Sequence, residues 1–187
     1  MRFYSIEDDL SLEGRWFLQG PVTPSGLEVD PRRFITAEPF STNGSLRIPL
    51  RYKGTPLGFT FADFDMPVVS SKVGQLISSV CGADVQRFPA NVDGSAEHFE
   101  ILNVLCKRPC LDEARSRSIT KWTENDGRPD KVGQLRMVIG LRIDPTAVAN
   151  HHAFRIDGWE IALIASERLK TLLEKHMVSG ITFREVG

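Results

Sequence analysis

The chain has 187 residues, 41% of them apolar and 25% charged, which is enough length and apolar content for one soluble domain with a real core. Its 23 basic and 24 acidic side chains leave a net charge of −1, far from the basic footprint of a nucleic-acid binder. No apolar run is long enough to span a bilayer, the opening MRFYSIEDDL lacks a secretory leader's apolar stretch, and three cysteines (Cys81, Cys106, Cys110) make an odd count for a disulfide framework, so a cytoplasmic protein is expected.

Residues 1–65 are rich in turn formers, as in QGPVTPSGLEVDPRRF and AEPFSTNGSLRIPL, and read as loops with short strands. LRIPL and GFTFADF are the strand candidates there, with Pro49 holding the first at an edge or bulge. From Met66 the pattern sharpens. MPVVSS is a short buried strand, and SKVGQLISSV is a helix with Val73, Leu76, Ile77 and Val80 on one face, closed by Gly82. ADVQRFPANV and HFEILNVL follow as strands. The second is apolar on both faces, which predicts a central place in a sheet. The stretch from Cys106 to Gln134 is polar and irregular. RMVIGLRIDP then alternates Met137, Ile139, Leu141 and Ile143 as one strand, and Asp144 caps a helical turn begun by Pro145. HAFRID and WEIALI make a hairpin around Asp157-Gly158. SERLKTLLEKHM is an amphipathic helix and GITFREV the last strand.

VSSKVGQLI and ASERLKTLL match position by position: Ser70 with Ser166, Val73 with Leu169, Leu76 with Leu172, Ile77 with Leu173. Each copy reads strand, Ser cap, helix, strand, where the Ser hydroxyl accepts a free amide hydrogen of the first helical turn. The expected class is α+β: a mixed, mainly antiparallel sheet, two main amphipathic helices and this strand-helix-strand pseudo-repeat.

Motifs for chemistry are weak. Adjacent strand histidines, His151 and His152, do not grip one metal easily, and no HExxH spacing is present. Cys106 and Cys110 lack the second ligand pair of a structural zinc site and read as free thiols. SITK has the S-x-x-K spacing without its accompanying motifs. Asp63 and Asp65 are spaced to share one strand face, but a solvated or turn-capping pair is the commoner case. The basic cluster from Lys107 to Lys121 fits a phosphate, an acidic protein or plain solvent.

Taken together, MPVVSSKVGQLI, FEILNVLCKRPCLDEARS, LRIDPTAVANHHAFRIDGWEIALIASERLKTLLE and GITFREV resemble the Imm11 family, the MXAN_0049-type immunity domain, formerly a domain of unknown function numbered 1629. The pieces that carry the resemblance are Pro67 to Ser70, Asn103 to Leu105, Cys110 to Asp112, Leu141 to Pro145, His152 to Arg155, Trp159, and Ser166 to Lys170; the part before Met66 matches more loosely. The resemblance implies a single immunity-type domain over 1–187, loop-rich in 1–65 and motif-bearing in 66–187. It implies an immunity protein of a bacterial polymorphic-toxin system, with no catalysis, no cofactor and a cognate toxin protein as partner; the ligand spacing, charge balance and hydropathy read above add the expectation of no metal, no nucleic acid and no membrane. The oligomeric state is left open.

A discriminating binder varies its contact surface, which points to Glu7 to Asp9, Asn43 to Lys53 or Arg115 to Asp130. Tyr52, Arg115, Arg117 and Trp122 are the anchor candidates, being residue types that dominate interface hot spots. The rival reading is a small-molecule-binding protein or an unrecognised enzyme. It requires Asn103, Asp112, His152, Arg155 and Trp159 to converge in one pocket.

Overall fold

A computed structural model describes residues 1–42 and 44–187. Asn43, the first residue of one expected contact loop, lies outside the described residues. In chain order the strands and helices are β1 (Phe3–Asp8), β2 (Phe17–Leu18), β3 (Leu46–Ile48), β4 (Leu50–Tyr52), β5 (Phe59–Ala62), β6 (Met66–Ser70), α1 (Ser71–Cys81), β7 (Val85–Val92) and β8 (Phe99–Val104). There follow β9 (Lys107–Arg108), β10 (Ser118–Lys121), β11 (Leu135–Ile139), β12 (Ala153–Ile156), β13 (Trp159–Ser166), α2 (Glu167–Lys175) and β14 (Ile181–Glu185). The class is α+β with mainly antiparallel sheets, as the sequence predicts.

Two five-stranded sheets carry the fold, ordered β3-β7-β8-β6-β5 and β14-β1-β13-β12-β9, with small β2-β4 and β10-β11 ribbons beside them. The two sheets repeat one another. In each, a hairpin (β5-β6 or β12-β13) leads into a helix and then a strand (β7 or β14), and one further strand lies between the hairpin and that last strand. That inserted strand is β8 in the first sheet and β1 in the second. Register agrees residue for residue: Phe99 opposes Ser70 as Phe3 opposes Ser166, and Val104 opposes Val85 as Asp8 opposes Ile181. The accompanying hydrogen bonds repeat too. Ser71 N donates to His98 O and Glu167 N to Arg2 O, each at 2.9 Å; Leu105 N donates to Asp84 O at 2.7 Å and Asp9 N to Gly180 O at 2.9 Å. The chain is therefore a tandem duplication in which the first strand of each half, β1 or β8, has crossed into the other half's sheet.

The Ser echo has the expected cause. Ser70 accepts from Val73 N at 3.4 Å and Ser166 from Leu169 N at 3.3 Å, both with extended backbone at the cap. The apolar faces of α1 and α2 meet in a shared inner core with matched partners: Ile6 and Leu102, Val69 and Ala165, Val73 and Leu169, Ile77 and Leu173. Each sheet's outer face has its own cover. Trp16, Leu18 and Phe34 pack on the first, and Leu141, Ile143 and Val148 on the second.

Three expectations need correction. The first eight residues are not loop: Phe3–Asp8 is an interior strand, so Glu7 and Asp8 sit in a sheet and not on a free contact loop. RMVIGLRIDP is not one strand, because β11 stops at Gly140, whose positive φ turns the chain. Leu141 and Ile143 then pack under the second sheet while Met137 and Ile139 stay exposed. The segment after Cys106 is more ordered than its composition suggests, holding β9, in parallel pairing with β12, and β10.

Candidate functional site

The residues expected to converge do not form one pocket. Asn103 is fully buried on the outer face of the first sheet, where its Nδ2 donates to Glu38 O at 2.8 Å and Gln86 Oε1 at 3.2 Å. Asp112 belongs to the second sheet's cover. It accepts from Arg115 N at 2.9 Å and Arg115 Nε at 2.6 Å, and these bonds hold its carboxyl below the usual range. His152 stands just before β12 and its Nδ1 meets Ser166 Oγ at 2.9 Å, so it buttresses the cap of α2; burial pushes its pKa down. Only Arg155 and Trp159 share a locality.

The anchor candidates divide as well. Tyr52 is exposed on β4 and meets Phe17 edge to face at 6.0 Å. Arg115 is held by Asp112 and also donates to the Ile143 carbonyl, so it fastens the cover. Arg117 is exposed beside Gly140. Trp122 is half-buried between two cations, with Arg136 at 4.8 Å and Lys131 at 5.4 Å from its ring. Arg115, Arg117 and Trp122 thus share the excursion over the second sheet, and Tyr52 belongs to the other half.

What the fold does assemble is an open cleft of about 310 Å³ on the outer face of the second sheet. Ser5 and Glu7 of β1, Ala162 of β13 and Arg184 of β14 form its floor. Trp159, Ile161, Leu141 and Val138 supply apolar wall, and Asp8, Phe61 and Asp65 close one end. Arg184 Nε donates to Glu7 Oε1 at 2.7 Å. Asp8 Oδ1 accepts from Arg15 Nη2 at 2.8 Å and from Phe61 N at 3.2 Å, which ties β1 to β5.

Arg155 holds this end together. It is fully buried, and its guanidinium donates to the carbonyls of Glu160 at 2.9 Å, Ile161 at 3.1 Å and Asp65 at 3.4 Å. Ile161 and Asp65 both line the cleft, so one side chain pins a wall from each half. Burial lowers the pKa of Arg155 to about 10, against the pull of Asp65 and Glu160, so it stays charged at neutral pH. Phe64 and Asp65 are successive non-glycine residues in the left-handed region, at φ 58° and 56°. Burial pushes the Asp65 carboxyl above its usual range, Arg155 opposing. Asp63 and Asp65 therefore do not share a strand face: Asp63 accepts from Gly20 N at 3.0 Å and pairs with Arg51 at 2.6 Å, while Asp65 serves the cleft.

Asp84, Cys106 and His151 place ligand-type atoms within 4.8 Å of one another. His151 Nδ1 lies 2.7 Å from Asp84 Oδ2, and the Arg108 guanidinium contacts His151 Nε2. Arg108 already supplies the positive charge a cation would bring. The duplication explains the cluster differently. The turn after α1 docks through Asp84 on the chain before β12, just as the turn after α2 docks on β5, where Ser179 O accepts from Phe59 N at 3.0 Å. Burial pushes the Cys81 thiol up to about 12 and the Cys110 thiol up to about 11, and all three cysteines are free and buried.

Sequence reasoning singled out Glu7, Asp8, Asp65, Trp159 and Arg155 separately and missed Arg184 and Ile161. The signal available was the spacing of the echo: continued toward the N terminus it aligns Phe3 with Phe99, which places β1 beside β13.

The fold and cleft define a duplicated α+β scaffold whose chemical groups are mostly engaged in holding its two halves together. Residues 88–187, more than half of the chain, match the immunity protein family Imm11, and the chain belongs to that family. No curated protein matches it. No helix among the described residues is long and apolar enough to cross a membrane.

Proposed function

We propose that this protein is a single-domain immunity protein that binds a cognate bacterial polymorphic toxin one to one and neutralises it inside the producing cell. Membership of the Imm11 family carries this reading. It is supported by the way Asn103, Asp112, His152 and Arg155 are each occupied by bonds to the scaffold, which suits a stoichiometric binder. Such binding needs a surface of standard interface size, about 1,200–2,000 Å² in total, with a few anchors at its centre. The test is co-expression with the product of the neighbouring gene as the candidate toxin. A stable one-to-one complex and restored growth are expected; a folded protein that neither binds nor protects would overturn the proposal.

A further inference from the structure

The duplication allows a question that most open clefts do not: what occupies the same place in the other half. At the positions of Glu7, Ser5 and Arg184 the first sheet has Asn103, Ile101 and Phe88. There the chain covers itself. Pro31–Phe34 and the residues up to Phe40 lie across that face, with Phe40 stacked on Phe88 at 4.6 Å and Phe34 edge-on to it at 5.4 Å. The backbone of the covering segment is also bonded: Glu38 O accepts from Asn103, and Phe40 N donates to Gln86 Oε1 at 3.3 Å. Asn103 and Phe88 are buried, whereas the side chains of Glu7 and Arg184 are 40% and 49% exposed. In the second half the 105–140 excursion sends only Val138 to the cleft wall.

From this we infer that the cleft receives an extended segment of the cognate toxin, taking the place that residues 31–40 fill in the first half. The inference rests on the immunity reading. The charge of the cleft states the segment's chemistry. Three carboxylates, Glu7, Asp8 and Asp65, line it against one guanidinium, Arg184. Arg184 answers Glu7 and Arg15 answers Asp8, while the carboxylate of Asp65 has no hydrogen-bond partner among the described residues. The segment therefore brings one Lys or Arg, directed at Asp65, the carboxylate of the cleft without a bonded cation, and an apolar side chain against Ile161. A cation set against a carboxylate that has no partner of its own strengthens and steers association.

The test uses the full chain and the toxin that co-expression identifies, with affinity measured at two salt concentrations. Removing the charge with Glu7→Gln and Asp65→Asn is expected to weaken binding at least about tenfold and to flatten its salt dependence. Ile161→Arg is expected to abolish protection, while Leu27→Ala, at an exposed position on the other half, binds as wild type. A photo-crosslinking residue at position 161 is expected to capture the toxin, and the same residue at position 27 is not; this arm needs no destabilising charge in the cleft. If wild type binds and protects but every cleft variant matches it, and position 161 captures nothing, the cleft assignment falls and the immunity reading stands. A wild-type chain that neither binds nor protects removes both.

Discussion

The exchange of first strands between the two halves predicts an unusual pair of outcomes. Deleting residues 1–8 removes Phe3, Tyr4 and Ile6, all at most 7% exposed, and leaves β13 and β14 facing an empty lane. At about 2 kcal/mol for each buried apolar side chain, the loss is about 6 kcal/mol before any ladder hydrogen bond is counted. A domain of this size is stable by only about 5–15 kcal/mol, so the truncated protein is expected to lose cooperative unfolding or to melt far below the parent. The same eight residues should be replaceable at the other end. Phe3 N already donates to Gly187 O at 3.3 Å, and the first half shows how such ends are joined, because β7 runs into β8 through a short turn. A permuted chain that begins at Asp9, and in which Gly187 continues through a copy of Val92–Glu97 into Arg2–Asp8, reproduces that connection. It is expected to fold with a melting temperature near the parent's. The assay is circular dichroism with thermal and urea melts of parent, deletion and permutant. A deletion that melts like the parent, or a permutant as unfolded as the deletion, would refute the exchanged-strand description.

Other expectations follow from single contacts. Ser70→Ala removes a helix cap and should cost about 1 kcal/mol, whereas Ser166→Ala also strips His152 of its partner at a fully buried position and should cost about 2 kcal/mol, as read by urea denaturation. Equal costs would show that His152 adds nothing to the second cap. Asp65→Asn should raise the melting temperature at neutral pH, because it removes a carboxylate that burial holds above its usual pKa and places Asn at a left-handed φ; a fall would show that attraction to Arg155 outweighs burial. His152 has a folded-state pKa below its unfolded value near 6.5, so the unfolded chain takes up the proton first. Stability is then full above pH about 6.5 and falls as pH drops through that value toward the folded pKa. His152→Gln should flatten this window in melts from pH 7.5 to 5, and an unchanged profile would sink the assignment.

The parts of the fold that the sequence made legible are those where one local signal and one tertiary outcome coincide. Ser70 and Ser166 cap helices whose apolar stripes point into one core, so cap and periodicity agree. HFEILNVL is apolar on both faces because β8 lies between β7 and β6, with cores on each side. β1 was obscured because its outward positions, Ser5 and Glu7, floor a polar cleft, so FYSIED lacks the two-sided apolar pattern of β8 while holding an equivalent lane. The Met137 to Ile143 alternation misled because period two continues through Gly140, where the backbone turns and the second two apolar residues enter a different layer. The cleft itself combines Glu7, Asp65, Ile161 and Arg184, residues spread over the whole chain, and only the crossing of β1 brings them together. Arg155 shows the same limit: its three acceptors are main-chain carbonyls, which no side-chain motif announces.

The comparison between the halves also separates two kinds of residue. Positions that face the shared core keep their character in both copies, Val73 with Leu169 and Ile77 with Leu173, because either change would open a cavity beneath the opposite helix. Positions on the outer faces differ between the copies: Phe88, Ile101 and Asn103 in the first sheet stand where Arg184, Ser5 and Glu7 stand in the second. Burying that second set under a cover as apolar as Phe34 and Phe40 would cost more than it returned, since the Glu7–Arg184 pair would lose its water. Left open, the same pair is compatible with a cover that comes and goes. The first half covers this lane of its sheet with its own chain, whereas the second leaves the lane over β1 and β14 open beside its cover, with Arg155 pinning the end of the cleft; on the proposed reading that open lane is where the toxin segment lies.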